Sequence, residues 1–153
     1  MADSEALLKV RADIDAIDQQ IHTLINERAK CAQQVAEIKQ AEQGDADLVF
    51  YRPEREAAVL NRVKERNQGP LSDDDVAHIF REIMSSCLAL ERPLQVAYLG
   101  PEGTFTQAAT IQQFGHAVHT QSMQTIGSVF AQVESRECNY GVVPVENSTE
   151  GMV

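Results

Sequence analysis

Two basic side chains lie in line with the apolar stripe of a long predicted helix. Arg28 and Lys39 are eleven residues apart, close to three full helical turns, so they share one face about 16 Å apart. Lys39 has Glu42 at i+3, a spacing that permits an ion pair, whereas Arg28 has no acid three or four residues away. The pattern indicates a pocket for an anionic ligand, with a salt bridge or a snorkelling stem as the alternative. Three residues lie between the two cations on that face: Cys31, Ala32 and Val35.

Further charged residues extend this set. Arg11 precedes Arg28 by seventeen residues, about 25 Å along the axis, too far for both to hold one small molecule from one helix. In an antiparallel dimer Arg11 of one chain would approach Arg28 of the other, and an ion pair with Asp15 is the alternative. Arg55 has no acid three or four residues away, and Glu56 follows it directly. For Glu56, pairing with a surface lysine is the alternative.

Three predicted helices position these residues. Apolar residues recur at steps of three and four from Leu7 to about Gln40. A second helix begins at Pro53 and runs to Gln68, and a third begins after the N-cap Ser72. The first helix would be about 50 Å long. Because this length exceeds the diameter of so small a domain, we expect it to pack along its own copy in a dimer.

After Pro93 the hydrophobic period changes. The pattern predicts strands at 94–99 and 141–145 with helices at 105–114 and 128–136 between them. This β-α-α-β order suggests an open α/β sheet with unpaired edges. The predicted fold class is therefore mainly α, with a helical domain at residues 1–92 and an incomplete α/β segment at residues 93–153.

Composition narrows the class of protein. The 153 residues carry a net charge of −10, which argues against nucleic-acid binding. We find neither an eighteen-residue apolar run nor a secretory signal, so we expect no membrane span and a cytoplasmic location. Three scattered cysteines predict buried free thiols and neither a disulfide framework nor a metal site. Twelve of the thirteen basic residues lie at or before Arg92, so an acidic chain can still offer cations to an anionic ligand.

The helical constellation resembles a known family. Arg11, Arg28, Lys39 and the Arg55-Glu56 pair, in a three-helix pattern, are similar to the all-helical chorismate mutase domain of bifunctional chorismate mutase/prephenate dehydratases. The segments AYLGPEGTFTQAA (97–109) and VPVENSTEG (143–151) resemble the two opening motifs of prephenate dehydratase. The resemblance implies an intertwined helical homodimer followed by the start of a dehydratase domain.

The resemblance also implies a reaction and roles for residues. It implies a multifunctional enzyme of phenylalanine biosynthesis in the shikimate pathway, whose mutase rearranges chorismate to prephenate without a cofactor. Arg28 and the partner's Arg11 would then clamp carboxylates, with Arg55 nearby. Lys39 would donate to the ether oxygen, and Glu56 would accept from the substrate hydroxyl. Fixed cations suit such an isomerase, because it needs a compact substrate conformer and stabilisation of charge on the breaking ether.

Three positions depart from the family pattern. Glu91 stands where a Gln usually contacts the ether oxygen, so we expect it to work when protonated, with its pKa raised by burial. A solvated Glu at the linker is the alternative. Cys87 replaces an expected Ser near a substrate carboxylate. Arg52 stands where Asp is usual, as a substrate-binding residue or as a plain surface residue.

The dehydratase part departs further. The family's Thr-Arg-Phe catalytic motif does not occur in the sequence, so we expect no dehydratase activity. We find no counterpart of the C-terminal regulatory domain that binds phenylalanine in the family, so we also expect no inhibition by phenylalanine. Thr104, Asn147, Ser148 and Thr149 are either prephenate-site residues of a complete domain or ordinary turn residues. The competing interpretation of the whole chain is a non-catalytic helical dimerisation or binding module whose cations form ion pairs.

Overall fold

The computed structural model describes residues 3–44, 49–147 and 151–152 and opens with three helices. They are α1 (Glu5–Gln43), α2 (Pro53–Arg66) and α3 (Asp73–Glu91). Two shorter helices follow, α4 (Phe105–Phe114) and α5 (Ile126–Glu134). The strands are β1 (Gln95–Leu99), β2 (His119–Met123), β3 (Tyr140–Val142), β4 (Glu146–Asn147) and β5 (Gly151–Met152). The predicted fold class, mainly α with a partial α/β segment, is confirmed.

The helix ends follow from local capping chemistry. The Ser4 hydroxyl accepts from the Leu7 amide at the start of α1, and the Ser72 hydroxyl accepts from the Asp75 amide at the start of α3. Pro53 occupies the first turn of α2, where its missing N–H costs no hydrogen bond. α2 ends at Arg66, two residues before the predicted end.

The N-terminal half of α1 extends away from the rest of the chain. α1 and α2 both pack against α3, but every residue of α1 from Glu5 to Glu27 is exposed. At 39 residues α1 is about 58 Å long. Eight apolar side chains of this N-terminal half are more than a third exposed: Leu7, Leu8, Val10, Ile14, Ile17, Ile21, Leu24 and Ile25.

The sheet after α3 differs from the predicted one. β1 is central in a parallel sheet of order β2-β1-β3, with Val96 opposite both Thr120 and Tyr140. The predicted β-α-α-β order is wrong, because β2 lies between the two helices. Both faces of this edge strand are exposed over His119–Ser122, so its side chains carry no apolar alternation. β4 and β5 form a separate antiparallel pair.

Smaller differences concern element bounds. α5 begins at Ile126 rather than Ser128, because the Thr125 hydroxyl caps it by accepting from the Ser128 amide at 3.0 Å. β3 covers Tyr140–Val142 rather than residues 141–145. Ser148 and Thr149, and most of the predicted loop at 43–47, lie outside the described residues.

A shared core joins the helical part to the sheet. Tyr51, which precedes α2, is buried together with Leu94, Val96 and Phe114. The ring centroids of Tyr51, Phe114 and Tyr140 lie 5.2–5.5 Å from one another, the range favoured by aromatic pairs. A second cluster under the sheet contains Ala97, Val129 and Cys138.

The three cysteines differ in exposure. Cys87 and Cys138 are buried free thiols, but Cys31 is exposed, so the prediction of three buried thiols is wrong for Cys31. The reason is its position on α1, whose side chains are covered only where α3 packs against them.

Within the described ranges, every helix is too short or too polar to cross a bilayer.

Candidate active site

A cavity of about 500 Å³ lies among the three long helices. Each helix contributes residues three, four and seven positions apart, a spacing that places them on one face. From α1 these are Arg28, Cys31, Ala32, Val35 and Lys39. From α2 and the residues before it they are Phe50, Tyr51, Arg52, Arg55, Glu56 and Val59. From α3 they are Met84, Cys87, Leu88 and Glu91.

Seven of the eight residues chosen from the sequence line this cavity: Arg28, Lys39, Arg52, Arg55, Glu56, Cys87 and Glu91. The eighth, Arg11, does not line it. Arg11 forms an ion pair with Asp3 instead of the pair with Asp15 considered from the sequence. It lies seventeen residues before Arg28 on α1, about 25 Å along the helix axis. A single chain therefore brings together every proposed site residue except Arg11.

Two half-buried carboxyl groups face the cations. Burial raises the pKa of Glu56, and the charges of Arg81 and Arg28 partly oppose this. Burial also raises the pKa of Glu91, opposed by Lys39 and then by Arg28. Burial disfavours the charged form of each group, and Arg28 favours it in both. The raised pKa of Glu91 has the direction expected from the sequence.

Lys39 is held by the segment that precedes α2. Its Nζ donates to the Val49 carbonyl at 3.0 Å and lies 5.3 Å from the centroid of the Phe50 ring. The guanidinium carbon of Arg92 lies 5.4 Å from the same ring. Such cation–π contacts restrain a flexible side chain without neutralising its charge. Lys39 thus reaches the cavity with a defined position.

The remaining residues chosen from the sequence occupy different depths. Cys87 is 4% exposed and packs into the wall. Arg55 is exposed at the rim. Arg52 is also exposed, and its Nε donates to Glu54 at 2.8 Å. Arg52 therefore lies at the surface, as one of the two alternatives held, and its side chain also borders the cavity.

Some residues that line the cavity were not predicted from the sequence as site residues, among them Phe50, Tyr51, Met84 and Leu88. Phe50 and Tyr51 line the cavity from a loop, for which helical spacing makes no prediction. Met84 and Leu88 continue the spacing of Cys87 and Glu91 on α3, so an extension of that face would have found them.

The site suits a small dianion. Four cationic side chains, Arg28, Lys39, Arg52 and Arg55, meet two carboxyl groups and an apolar floor. Guanidinium groups bind carboxylates through paired hydrogen bonds, and an ammonium group supplies a compact charge. In the part of the chain that the structure describes, no three His, Cys, Asp or Glu side chains are placed to hold a metal ion.

Comparisons with known proteins agree with this geometry. The family model "Chorismate mutase type II" matches residues 10–92, and "Prephenate dehydratase" matches residues 96–153. A bifunctional chorismate mutase/prephenate dehydratase of Pseudomonas aeruginosa is 56% identical over the whole of this chain, which covers 42% of that relative. The protein of the same description from Neisseria gonorrhoeae is 54% identical over 97% of this chain, or 40% of its own length. The chain thus spans about two fifths of the curated relatives it matches.

A solved structure is similar in fold to the helical part of the chain. Chorismate mutase (form II) from Thermus thermophilus is 31% identical, with a TM-score of 0.52, and the match covers 57% of this chain and 94% of that one. The interpretation as a chorismate mutase domain followed by prephenate dehydratase sequence is confirmed, and the non-catalytic module is not favoured. On its sequence and on the fold of its three long helices, the chain belongs to the chorismate mutase type II family.

Proposed function

We propose that the cavity among α1, α2 and α3 binds chorismate and rearranges it to prephenate. The observation that carries this proposal is the convergence of four cations and two half-buried carboxyl groups on one 500 Å³ cavity. Chorismate is a dianion, and its rearrangement is intramolecular. The residues therefore need only hold a compact conformer and stabilise charge on the breaking ether.

Each side chain has a role in this proposal. Arg28 binds a substrate carboxylate, and Arg55, with Arg52 beside it, supplies positive charge at the rim. Lys39 donates to the ether oxygen as negative charge develops on it, and Glu91 in its protonated form makes the second donation. Glu56, ionised, accepts from the substrate hydroxyl.

Cys87 forms part of the wall against a substrate carboxylate. It is buried and lies one helical turn before Glu91 on the same face of α3. Its thiol is a weak hydrogen-bond donor, so its contribution is mainly one of shape. The proposed reaction uses no cofactor.

The working unit in this proposal is a homodimer. The exposed apolar face of α1 supports it, because the eight side chains named above would be buried against an antiparallel copy. In such a pair the partner's Arg11 approaches Arg28, completing the carboxylate clamp. The Asp3 ion pair leaves Arg11 on an exposed surface where a partner can meet it.

The proposed domain boundary lies between α3 and β1. We assign residues 1–92 to the mutase domain and residues 93–153 to sequence of the dehydratase domain. Because Thr-Arg-Phe does not occur in these 153 residues, we expect prephenate to accumulate rather than to be converted to phenylpyruvate. The cytoplasmic location stays a prediction of the sequence.

The experiment is a direct assay of the purified chain. Loss of chorismate is followed by its ultraviolet absorbance, and the product is identified by proton NMR. The proposal predicts enzyme-dependent formation of prephenate in equal molar amount, without phenylpyruvate. Binding of chorismate without turnover would support the non-catalytic module instead.

A further inference from the structure

The end of α4 is fastened to α3 behind the mutase cavity. Gly115, which follows α4, lies so close to α3 that an added Cβ would be 2.5 Å from the Ser85 Cβ. Three side chains of α3 bind residues of the segment 113–116. Arg81 donates to the Gln113 carbonyl (2.6 Å), Ser85 donates to the Phe114 carbonyl (2.7 Å), and Glu82 pairs with the His116 ring (2.8 Å). The position of Gln113 relative to the mutase helices is therefore fixed through its own backbone.

The side chain of Gln113 continues this contact towards the cavity. Its Nε2 donates to the Tyr51 hydroxyl at 3.1 Å. Tyr51 is 5% exposed, and its ring is packed between Phe114 and Tyr140, so it has little freedom to turn. Because the hydroxyl oxygen accepts from Gln113, its proton is left for another acceptor, and the carboxyl group of Glu56, which lines the same cavity as Tyr51, is the nearby group that can accept it.

We infer that Tyr51 is a positioning residue for Glu56 and that Gln113 completes the link, so that the dehydratase-like part of the chain orients the hydroxyl acceptor of the mutase site. The inference rests on the proposed function, since it takes Glu56 as a substrate contact. Gln113 does not line the cavity, and Tyr51 is part of the cavity wall. In this inference both act through the carboxylate of Glu56, which contacts the substrate.

The link matters because Glu56 must stay ionised in a partly buried place. Burial raises the pKa of Glu56, whereas Arg81 of α3, Arg28 of α1 and the Tyr51 hydroxyl lower it. Glu91 lines the same cavity and shares Arg28. Removing the Tyr51 hydroxyl would raise the pKa of Glu56 further, because a hydrogen bond to the charged form is lost. As pH falls, the carboxylate of Glu56 would then become protonated at a higher pH, and the activity that needs its ionised form would be lost at that higher pH.

Three variants test the link in the full chain. Tyr51→Phe removes the hydroxyl and keeps the ring, and Gln113→Leu removes the outer donor from an exposed position. Tyr140→Phe is the matched control, since it removes a hydroxyl from the same aromatic cluster without touching Glu56. The readouts are kcat/KM against pH and the 13C NMR titration of the Glu56 carboxyl carbon, assigned with Glu56→Gln.

We expect Tyr51→Phe to lose about tenfold in kcat/KM on the acid side of the profile, the usual size of a hydrogen bond to a charged group. Gln113→Leu should shift the acid limb in the same direction by less, and Tyr140→Phe should not shift it. The Glu56 titration should move upwards in pH in the first two variants. The inference would be overturned if neither the pH profile of kcat/KM nor the Glu56 titration shifted in Tyr51→Phe and Gln113→Leu. It would also be overturned if Tyr140→Phe shifted them by the same amount. The titration reads the link even in a chain without mutase activity, so failure of the proposed function is recognised separately.

Discussion

The Nζ of Lys39 donates a 3.0 Å hydrogen bond to the Val49 carbonyl. Lys39 is the eleventh residue after Arg28 on α1, and Val49 belongs to the segment that enters α2, so this contact fixes a cation of one helix against the start of another. The same ammonium group also lies over the Phe50 ring. In the proposed mechanism, the substrate therefore meets a donor that is already oriented. Preorganised donors of this kind stabilise charge that develops during the reaction.

Lys39→Ala should therefore lower kcat more than it raises KM. We expect a loss of about 10²–10³ in kcat, the usual effect of removing one donor to a developing oxyanion. Lys64→Ala is the control, because Lys64 on α2 pairs with Asp74 outside the cavity. Steady-state kinetics of the two variants make the comparison, and a Lys39→Ala variant with wild-type kcat and a raised KM would show that Lys39 only binds the ground state.

The activity should fall as pH rises through the pKa of Glu91. Burial raises that pKa, partly opposed by Lys39 and Arg28, and the proposed role needs the protonated form. Glu91→Gln should flatten the alkaline limb of kcat/KM, because an amide donates at every pH. Rate profiles of both proteins measure this. A wild-type profile that is level from acid to mildly basic pH would contradict the assignment.

The same carboxyl group should leave a signature in stability. Its pKa is higher in the folded chain than in the unfolded one, so its stabilising effect is present in acid and is lost as pH rises through the folded value. Relative to wild type, Glu91→Gln should therefore gain in Tm as the pH is raised. Thermal unfolding followed by circular dichroism between acid and mildly basic pH tests the sign.

Mixed dimers test the contribution of Arg11. Arg11→Ala and Arg28→Ala chains should each be weakly active alone. In a mixed dimer one site has Arg28 of one chain and the partner's Arg11, both intact, and the other site has neither. Unfolding and refolding the two variants together in equal amounts should restore about a quarter of wild-type activity, since half of the dimers are mixed and each has one intact site. Absence of any gain on mixing would show that Arg11 does not act across the dimer.

Gly115→Ala should weaken the docking of α4 on α3. The new Cβ would lie 2.5 Å from the Ser85 Cβ, and φ at this position is +75°. We expect a loss of about 1–3 kcal/mol in the free energy of unfolding, from overpacking and backbone strain. Gly103→Ala is matched in strain, with φ of +84° and nothing within 4 Å of the added Cβ. Urea unfolding should show the smaller loss for Gly103→Ala, and equal losses would mean that contact with Ser85 is unimportant.

The helical part was largely predictable because its information is periodic. Arg28 and Lys39 could be placed on one face from their spacing alone, and the cavity contains both, together with the three residues between them. Strand β2 was missed for the opposite reason: an edge strand with exposed side chains has no alternating pattern to detect. Tyr51 and Gln113 meet only because α4 docks on α3, and sequence patterns do not encode that approach.

Arg28 provides the most direct test of the central claim, that the cavity among the three helices is the chorismate site. The measurement is kcat/KM for chorismate loss in Arg28→Ala compared with Arg62→Ala, which removes an exposed cation of α2 outside the cavity. We predict a fall of about 10²–10³ for Arg28→Ala and no more than a small change for Arg62→Ala. Wild-type activity in Arg28→Ala would contradict the assignment of this cavity.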